Sequence, residues 1–442
     1  MNFQLNNFIN LNCFHFITPR RIIRDMAIKK IQSILLSVVT LVIIIGASLS
    51  VIAYGRGYRL DLNNKSFGTT GLIAATSDPT GAQLFIDGKP KSATNTNLNI
   101  APGWYTITVV KNGYQPWEKR VRVQGEVLTR VDAMLFSGNP SLFALTTSGV
   151  MNPTLSPDGT KLAYVVPEIQ ESTNSAQMVS RAGVWVLDLL DKPLGMNRDA
   201  RQLLKREQLD TDNGVLVWSP DSKQLLLTTY TEEAYLLESD KFNDAPKPQF
   251  DITLLQKDWE ELRISKEKEK LLSLKDDVMN IATSSMNILS FAPDETRILY
   301  QASVSATLPT IISPPLIGTN PTEEVRDVKP GNVYVYDVKE DRNYVIDDRK
   351  QKAESGKNLP SSVISPLSSP IQWLPTSRHL LVTGKDKVEV MEYDGTNRKT
   401  VYAGPFWDGF VAPWSNAGRL VILTNLNPAA SAIGNLYAVN IR

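Results

Sequence analysis

Cysteine occurs once in the 442-residue chain, at Cys13, and histidine twice, at His15 and His379. That scarcity excludes a disulfide framework, leaves almost nothing for a thiolate or imidazole metal site, and leaves His379 as the one histidine beyond the apolar run for a Ser-His-Asp relay. An excess of one charge is missing too. Lys plus Arg number 47 and Asp plus Glu 46, a net of +1, so no basic surplus grips a phosphate backbone and nucleic acid is not an expected partner. No Gly-rich phosphate loop is present either, since Gly55-Arg56-Gly57 belongs to the end of an apolar run. What remains is ordinary globular material, 42% hydrophobic and 21% charged, at a length that predicts more than one domain.

Ile31 to Tyr54 holds 24 residues without a charge, about 36 Å of helix, which spans a bilayer. Arg20, Arg21, Arg24, Lys29 and Lys30 precede it against a single Asp25, so the positive-inside rule predicts residues 1–30 in the cytoplasm and everything beyond 54 outside. The competing reading is a cleaved signal peptide with Val51-Ile52-Ala53 as its cleavage site. The apolar run exceeds the roughly 7–15 residues of a signal core, which favours the anchor. Met26-Ala27-Ile28-Lys29-Lys30 reads as a natural start for such an anchor, with translation expected from Met26. Beyond residue 30 the balance is 42 basic against 45 acidic residues, which predicts a nearly neutral exported surface.

After a linker at 55–70, residues 71–137 alternate short β-rich runs with turn residues: Leu72-Ala75, Gln83-Ile86, Tyr105-Val110, Val121-Val123 and Val131-Leu135. The spacing predicts a small antiparallel β-sandwich. Asp78-Pro79-Thr80-Gly81, Asp87-Gly88, Pro102-Gly103 and Asn112-Gly113 supply the reversals, Pro presetting φ and Gly accepting positive φ. Pro79-Thr80-Gly81-Ala82, Ile86-Asp87-Gly88, Pro102-Gly103 and Lys111-Asn112-Gly113-Tyr114 together resemble the PEGA domain. The departures are Thr80 in place of Glu, and Ser92-Ala93-Thr94-Asn95 where that family has a Gly-x-Thr-Pro-like turn. The resemblance implies a cell-surface module that binds envelope polymers or proteins and brings no catalytic residues. Trp104, Tyr105, Tyr114 and Trp117 offer an aromatic platform for sugar rings; the competing reading places them over the sandwich core.

From residue 138 to 442 one unit recurs: an apolar strand, a Pro-centred turn, a second strand, then a third. The turns are Ser156-Pro157-Asp158-Gly159, Ser219-Pro220-Asp221-Ser222, Ala292-Pro293-Asp294-Glu295, Leu374-Pro375-Thr376-Ser377 and Ser415-Asn416-Ala417-Gly418. Leu155, Trp218, Phe291 and Trp373 stand two residues before each Pro, with Trp414 as the expected fifth equivalent. Alternating apolar residues follow, such as Leu162 and Tyr164, and mark a buried strand face. Fourth strands are expected at Gln202-Leu204, Ile252-Leu254, Tyr344-Ile346 and Thr400-Tyr402, with Leu142-Leu145 completing the fifth unit and closing a ring. An amphipathic helical insertion packed on the disc is expected near 254–282, and a long loop from Leu308 to Lys329. The Ser-Pro-Asp-Gly turns resemble the WD-like repeats of TolB-type β-propellers. Five copies are countable, or six if one is degenerate. The resemblance implies a disc that binds peptides, proteins or glycans.

Little else carries chemistry. His379 falls where other copies place Lys161, Gln224 and Arg297, expected to be a solvent-facing turn position. Asp210-Thr211-Asp212-Asn213-Gly214 begins like a calcium loop, but its Gly is one residue early and no Glu closes it, so a capped turn is expected. The carboxylate pairs Glu232-Glu233 and Asp347-Asp348 lack an inferable tuning environment. The expectation is therefore an all-β ectodomain behind one transmembrane helix, with a PEGA-like sandwich and a propeller of about five blades. No catalytic residue, metal or cofactor is expected. A protein or peptide partner comes first, a cell-wall polysaccharide second, and a glycan-acting enzyme using channel carboxylates third.

Overall fold

A computed structural model describes residues 19–55, 58–61, 66–168, 181–191, 200–347, 370–407, 409–426, 428 and 433–442. Cys13, His15 and Asp348 lie outside the described residues. Helix α1 runs Pro19–Gly55. Its Ser33–Gly55 portion has a mean hydropathy of 2.7 and none of it is buried against the protein, so it is long and apolar enough to cross a membrane. The hydroxyls of Ser37 and Ser50 donate back to the carbonyls of Ser33 and Gly46, at 2.9 and 2.8 Å, which satisfies them without water. A hairpin of Tyr58–Asp61 and Ser66–Thr69 follows, with Tyr58 opposite Thr69.

The next domain is a two-layer sandwich. One layer is Lys89–Ala93, Gln83–Ile86, Gly103–Val110 and Trp117–Val123, all antiparallel. The other is Thr96–Ile100, Gly71–Asp78 and Leu128–Met134. Here the expectation of a purely antiparallel sandwich needs correction, because Gly71–Asp78 and Leu128–Met134 run parallel. A parallel pair requires a crossover, and the rest of the domain supplies it. Ile73, Leu84, Ile107, Val109, Val121 and Leu135 fill the core, each side chain contributing about 1.5–3 kcal/mol on burial. Asp87 and Gly88 both take positive φ, 49° and 73°, the geometry of a two-residue hairpin turn. In the departing 92–95 segment, the Thr94 hydroxyl accepts from the Ala82 amide at 2.9 Å, so this stretch ties the two layers' edges together.

Five four-stranded antiparallel meanders follow among the described residues. The first is Met151–Leu155, Lys161–Val166, Gly183–Asp188 and Arg201–Lys205; the second Val215–Trp218, Gln224–Thr228, Ala234–Glu238 and Lys247–Pro248. The third is Met286–Phe291, Arg297–Ala302, Val333–Asp337 and Arg342–Asp347; the fourth Ile371–Trp373, His379–Thr383, Lys387–Glu392 and Lys399–Ala403. In the fifth, Val411–Pro413, Arg419–Thr424 and Asn435–Asn440 are completed by Ser141–Ala144 from the start of the domain. That pairing joins the two ends of a β-propeller and removes an open edge.

Each Pro-centred turn is held by the same device. Asp158, Asp221 and Asp294 accept the amide two residues on, from Thr160, Lys223 and Thr296, at 3.0, 3.2 and 3.1 Å. Thr376 and Asn416 do the same for Arg378 and Gly418. The following residue takes positive φ: Gly159, Ser222, Glu295, Ser377 and Ala417, a strained conformation for all but the glycine. This alignment corrects the fifth copy. Pro413 pairs Leu420 as Leu155 pairs Leu162, so Trp414 stands one position later than expected.

Two other expectations differ. Ile252-Thr253-Leu254 is not a fourth strand but opens helix α2 (Ile252–Leu271), because the Asp251 carboxylate caps the Leu254 amide at 2.8 Å; the strand is Lys247–Pro248. The insertion is also two helices rather than one. Helix α2 buries no residue, whereas α3 (Asp276–Ser285) buries Val278 and Ala282 against the third sheet. The 308–329 loop is ordered: Asp341 accepts from the amides of Ile311 and Ile312 at 2.6 and 2.9 Å.

Candidate functional site

The sandwich is bolted to the Pro-turn side of the fourth and fifth sheets. Lys119 lies 2.6 Å from both Glu392 and Asp394. Trp117 donates its indole N–H to Glu392, and Asn397 accepts the Glu118 amide at 3.0 Å. Asp394 also accepts from Asn320 and Thr322, both at 2.7 Å, so the 308–329 loop joins the same knot. Burial alone disfavours the Lys119 ammonium, but Glu392 and Asp394 outweigh it and hold the lysine above its usual range. Burial likewise works against the Asp394 carboxylate; Lys119 and the surrounding donors overcome that and hold it below the usual carboxylate range. Arg378 pairs Asp132 at 2.8 Å and Arg442 pairs Asp78 at 2.7 Å. Met134 and Phe136 enter the core shared by the fourth and fifth sheets. The two domains therefore form one body at this side of the disc.

The ring itself is latched unevenly. The Asp158 amide donates to Ser222 across the first and second sheets at 3.2 Å, and the Asp294 amide to Ser377 across the third and fourth at 3.0 Å. Lys161 and Arg297 reach the same neighbouring turns. At the second sheet the equivalent Gln224 turns back to Glu238 of its own sheet. Among the described residues, no hydrogen bond, ion pair or shared core cluster joins the second sheet to the third. Helix α2 bridges them, Lys266 donating to the Pro220 carbonyl at 3.3 Å and Lys270 pairing Glu295 at 2.8 Å.

The second sheet also exposes several apolar side chains. Val215 and Val217, on its edge strand nearest the disc axis, are 54% and 38% exposed, and Tyr230 and Phe250 are 81% and 93% exposed. Val215 pairs Thr228, and the Gln249 amide bonds the Ala234 carbonyl, so Val215, Tyr230 and Phe250 share one end of the sheet. That end is opposite the Pro turns, hence opposite the docked sandwich.

The four aromatic candidates are not brought together. Trp117 is buried in the domain contact, while Trp104 keeps 48% exposure with Arg120 stacked 5.0 Å over its ring. Trp104 and Trp117 stand at opposite ends of their strand pair, opposite Arg122 and Val109. Tyr105 and Tyr114 pack against the sandwich core, and the Tyr105 hydroxyl donates to the Ala101 carbonyl at 2.9 Å. His379 is not solvent-facing as expected: it is buried beneath the sandwich, 6.0 Å from the Phe136 ring with Thr376 3.0 Å from its Nδ1. It faces Phe136 across the domain contact rather than solvent, and burial pushes the imidazole down to about 4. Asp212 of the calcium-like loop lies 2.9 Å from Arg206, which also approaches Asp210. Glu233 accepts from Tyr235. The domain contact went unread in the sequence. Its one signal was a pair of alternate acids, Glu392 and Asp394, at and just past the end of the strand Lys387–Glu392.

Comparison with known proteins bears on both domains. Residues 70–138 match the family described as the PEGA domain. No curated protein matches the chain. Among solved structures it is similar to a TolB from Agrobacterium tumefaciens, at 12% identity over 65% of this chain and 79% of that one, with a TM-score of 0.20. TolB from Acinetobacter baumannii shares 13% identity over 76% and 59% of the two chains, TM-score 0.21. An oligogalacturonate lyase in complex with manganese shares 10% over 79% and 81%, TM-score 0.20. The propeller assignment rests on the five meanders and their closing strand. The chain thus carries a PEGA domain at residues 70–138, followed by a β-propeller.

Proposed function

We propose that this chain is a membrane-anchored, non-catalytic scaffold of the cell envelope whose propeller holds a protein or peptide partner. Helix α1 is its single-pass anchor, with the five basic residues ahead of its apolar Ser33–Gly55 portion keeping the N-terminus in the cytoplasm and both β domains outside. The observation that carries the reading is the set of exposed apolar side chains on the second sheet, Val215, Val217, Tyr230 and Phe250, beside a seam that, among the described residues, is bridged by helix α2. Exposed apolar surface of this kind on a rigid disc marks an interaction site. The buried acids support binding over catalysis. Asp337 pairs Arg297 at 2.8 Å, Asp341 is saturated by amides and Tyr336, and Glu392 and Asp394 serve the domain contact.

The test is in-cell crosslinking of the full chain beside a Val215→Asp, Val217→Asp variant, which alters only exposed side chains. The expected result is a specific protein captured by the wild type and lost from the variant. Capture of the same protein by both would refute the site. A second reading, wall-polysaccharide binding, draws on the exposed ring of Trp104. It predicts retention on wall polymer that Trp104→Ala abolishes.

A further inference from the structure

The end of the sandwich remote from the propeller has its own apolar rim. Tyr58, three residues after the end of α1, pairs Thr69, and Gly125 lies so close to Thr69 that an added Cβ would clash with its hydroxyl. Gly125 begins the short connection to Leu128, whose strand ends at Met134 in the propeller contact. The 308–329 loop reaches back to this same end: Gly318 lies against Val127 and Leu128, an added Cβ meeting Val127 Cγ1 at 3.5 Å. Beside Gly318, Leu316 and Ile317 are 49% and 75% exposed, Leu128 is 43% exposed, and Trp104 adds 48%. Arg120 and Arg122 are exposed next to Trp104, with Glu126 as the exposed acid of the turn.

Among the described residues, Leu316 and Ile317 join no core cluster, although the loop that carries them is rooted in the third sheet. The chain itself says what lies there. Three residues span at most about 11 Å, and a paired strand adds about 5 Å, so this rim is tethered within a short reach of the end of α1. We propose that Leu316, Ile317, Leu128 and Trp104 rest in the headgroup region of the bilayer that holds α1, with Arg120 and Arg122 facing anionic lipid phosphates. Trp at the boundary with aliphatic neighbours and Arg beside it suits that zone, where one end of a side chain is apolar and the other wet. The contact fixes the tilt of the whole rigid body, so the apolar end of the second sheet is held facing away from the membrane. This inference rests on the anchor reading given above.

The experiment uses the full chain with Cys13→Ser and Ile317→Cys, labelled with an environment-sensitive dye and reconstituted into vesicles of phosphatidylcholine and phosphatidylglycerol. A Phe250→Cys chain is labelled as the remote control. The expected result is co-flotation of both chains, with a blue-shifted probe at 317 quenched severalfold more than at 250 by lipids spin-labelled near the headgroup. Co-flotation with equal quenching at both positions would overturn the contact and leave the anchor standing. Failure of the chain to float with vesicles would overturn the anchor and the contact together.

Discussion

Replacing Lys119 by Met removes the single cation between two buried acids. The side chains of Lys119, Glu392 and Asp394 are 13%, 10% and 0% exposed, so water cannot substitute for the lost ammonium. Breaking a buried ion pair from one side costs about 3–5 kcal/mol. Here Asp394 keeps donors from Asn320, Thr322 and Thr396, and Glu392 keeps Trp117 and Asn397, which argues for about 3 kcal/mol, the lower end. The pH dependence has a definite sign. In the wild type, Asp394 has a lowered folded pKa, so its contribution is intact above the unfolded value of about 3.9 and is lost only in stronger acid. Without Lys119, burial dominates and raises that pKa, so the variant gains relative stability as pH falls toward about 5. The assay is denaturant unfolding of the full chain in detergent, followed by tryptophan fluorescence, at stepped pH. Adding Glu392→Gln and Asp394→Asn to the variant recovers part of the loss, because no uncompensated charge is then buried. A loss below about 1 kcal/mol, the size of an exposed pair, or a gap that ignores pH, would refute the reasoning.

His379 gives a second pH window. Its imidazole is pushed from 6.5 to about 4, so below the upper value the unfolded chain binds a proton that the folded one refuses. Stability therefore falls on acidification between those values, and His379→Gln should flatten that segment in chemical melts; identical slopes would count against it. Trp117→Phe leaves one oxygen of Glu392 without its indole donor and should cost about 1–3 kcal/mol in the same melts. Helix α2 buries no residue, so limited trypsin digestion should nick it near Lys266 to Lys270 before it cuts within the sheets. Early cuts within the sheets instead would show that α2 is better held than its packing indicates.

The local devices were legible in the chain because each is encoded within a few residues. The 24-residue uncharged run, the Asp87-Gly88 turn and the recurrent Pro-Asp turns fix a helix and a series of hairpins by chain geometry and side-chain to backbone bonding. Alternating apolar residues then bury one face wherever two sheets meet, and even the closing strand at Ser141–Ala144 followed from counting strands. The fourth strand of the second unit was misread at Ile252-Thr253-Leu254 because an apolar triplet has no period of its own, and the Asp251 cap decided for helix. The parallel pairing inside the sandwich, the burial of His379, the lysine between two acids, and the unlatched seam lay beyond sequence reasoning. Each depends on residues far apart in the chain, with Lys119 and Glu392 separated by 273 positions. Sequence determined which segments become strands and where they turn; only the tertiary structure decided which faces are covered, because coverage depends on partners that no local pattern names.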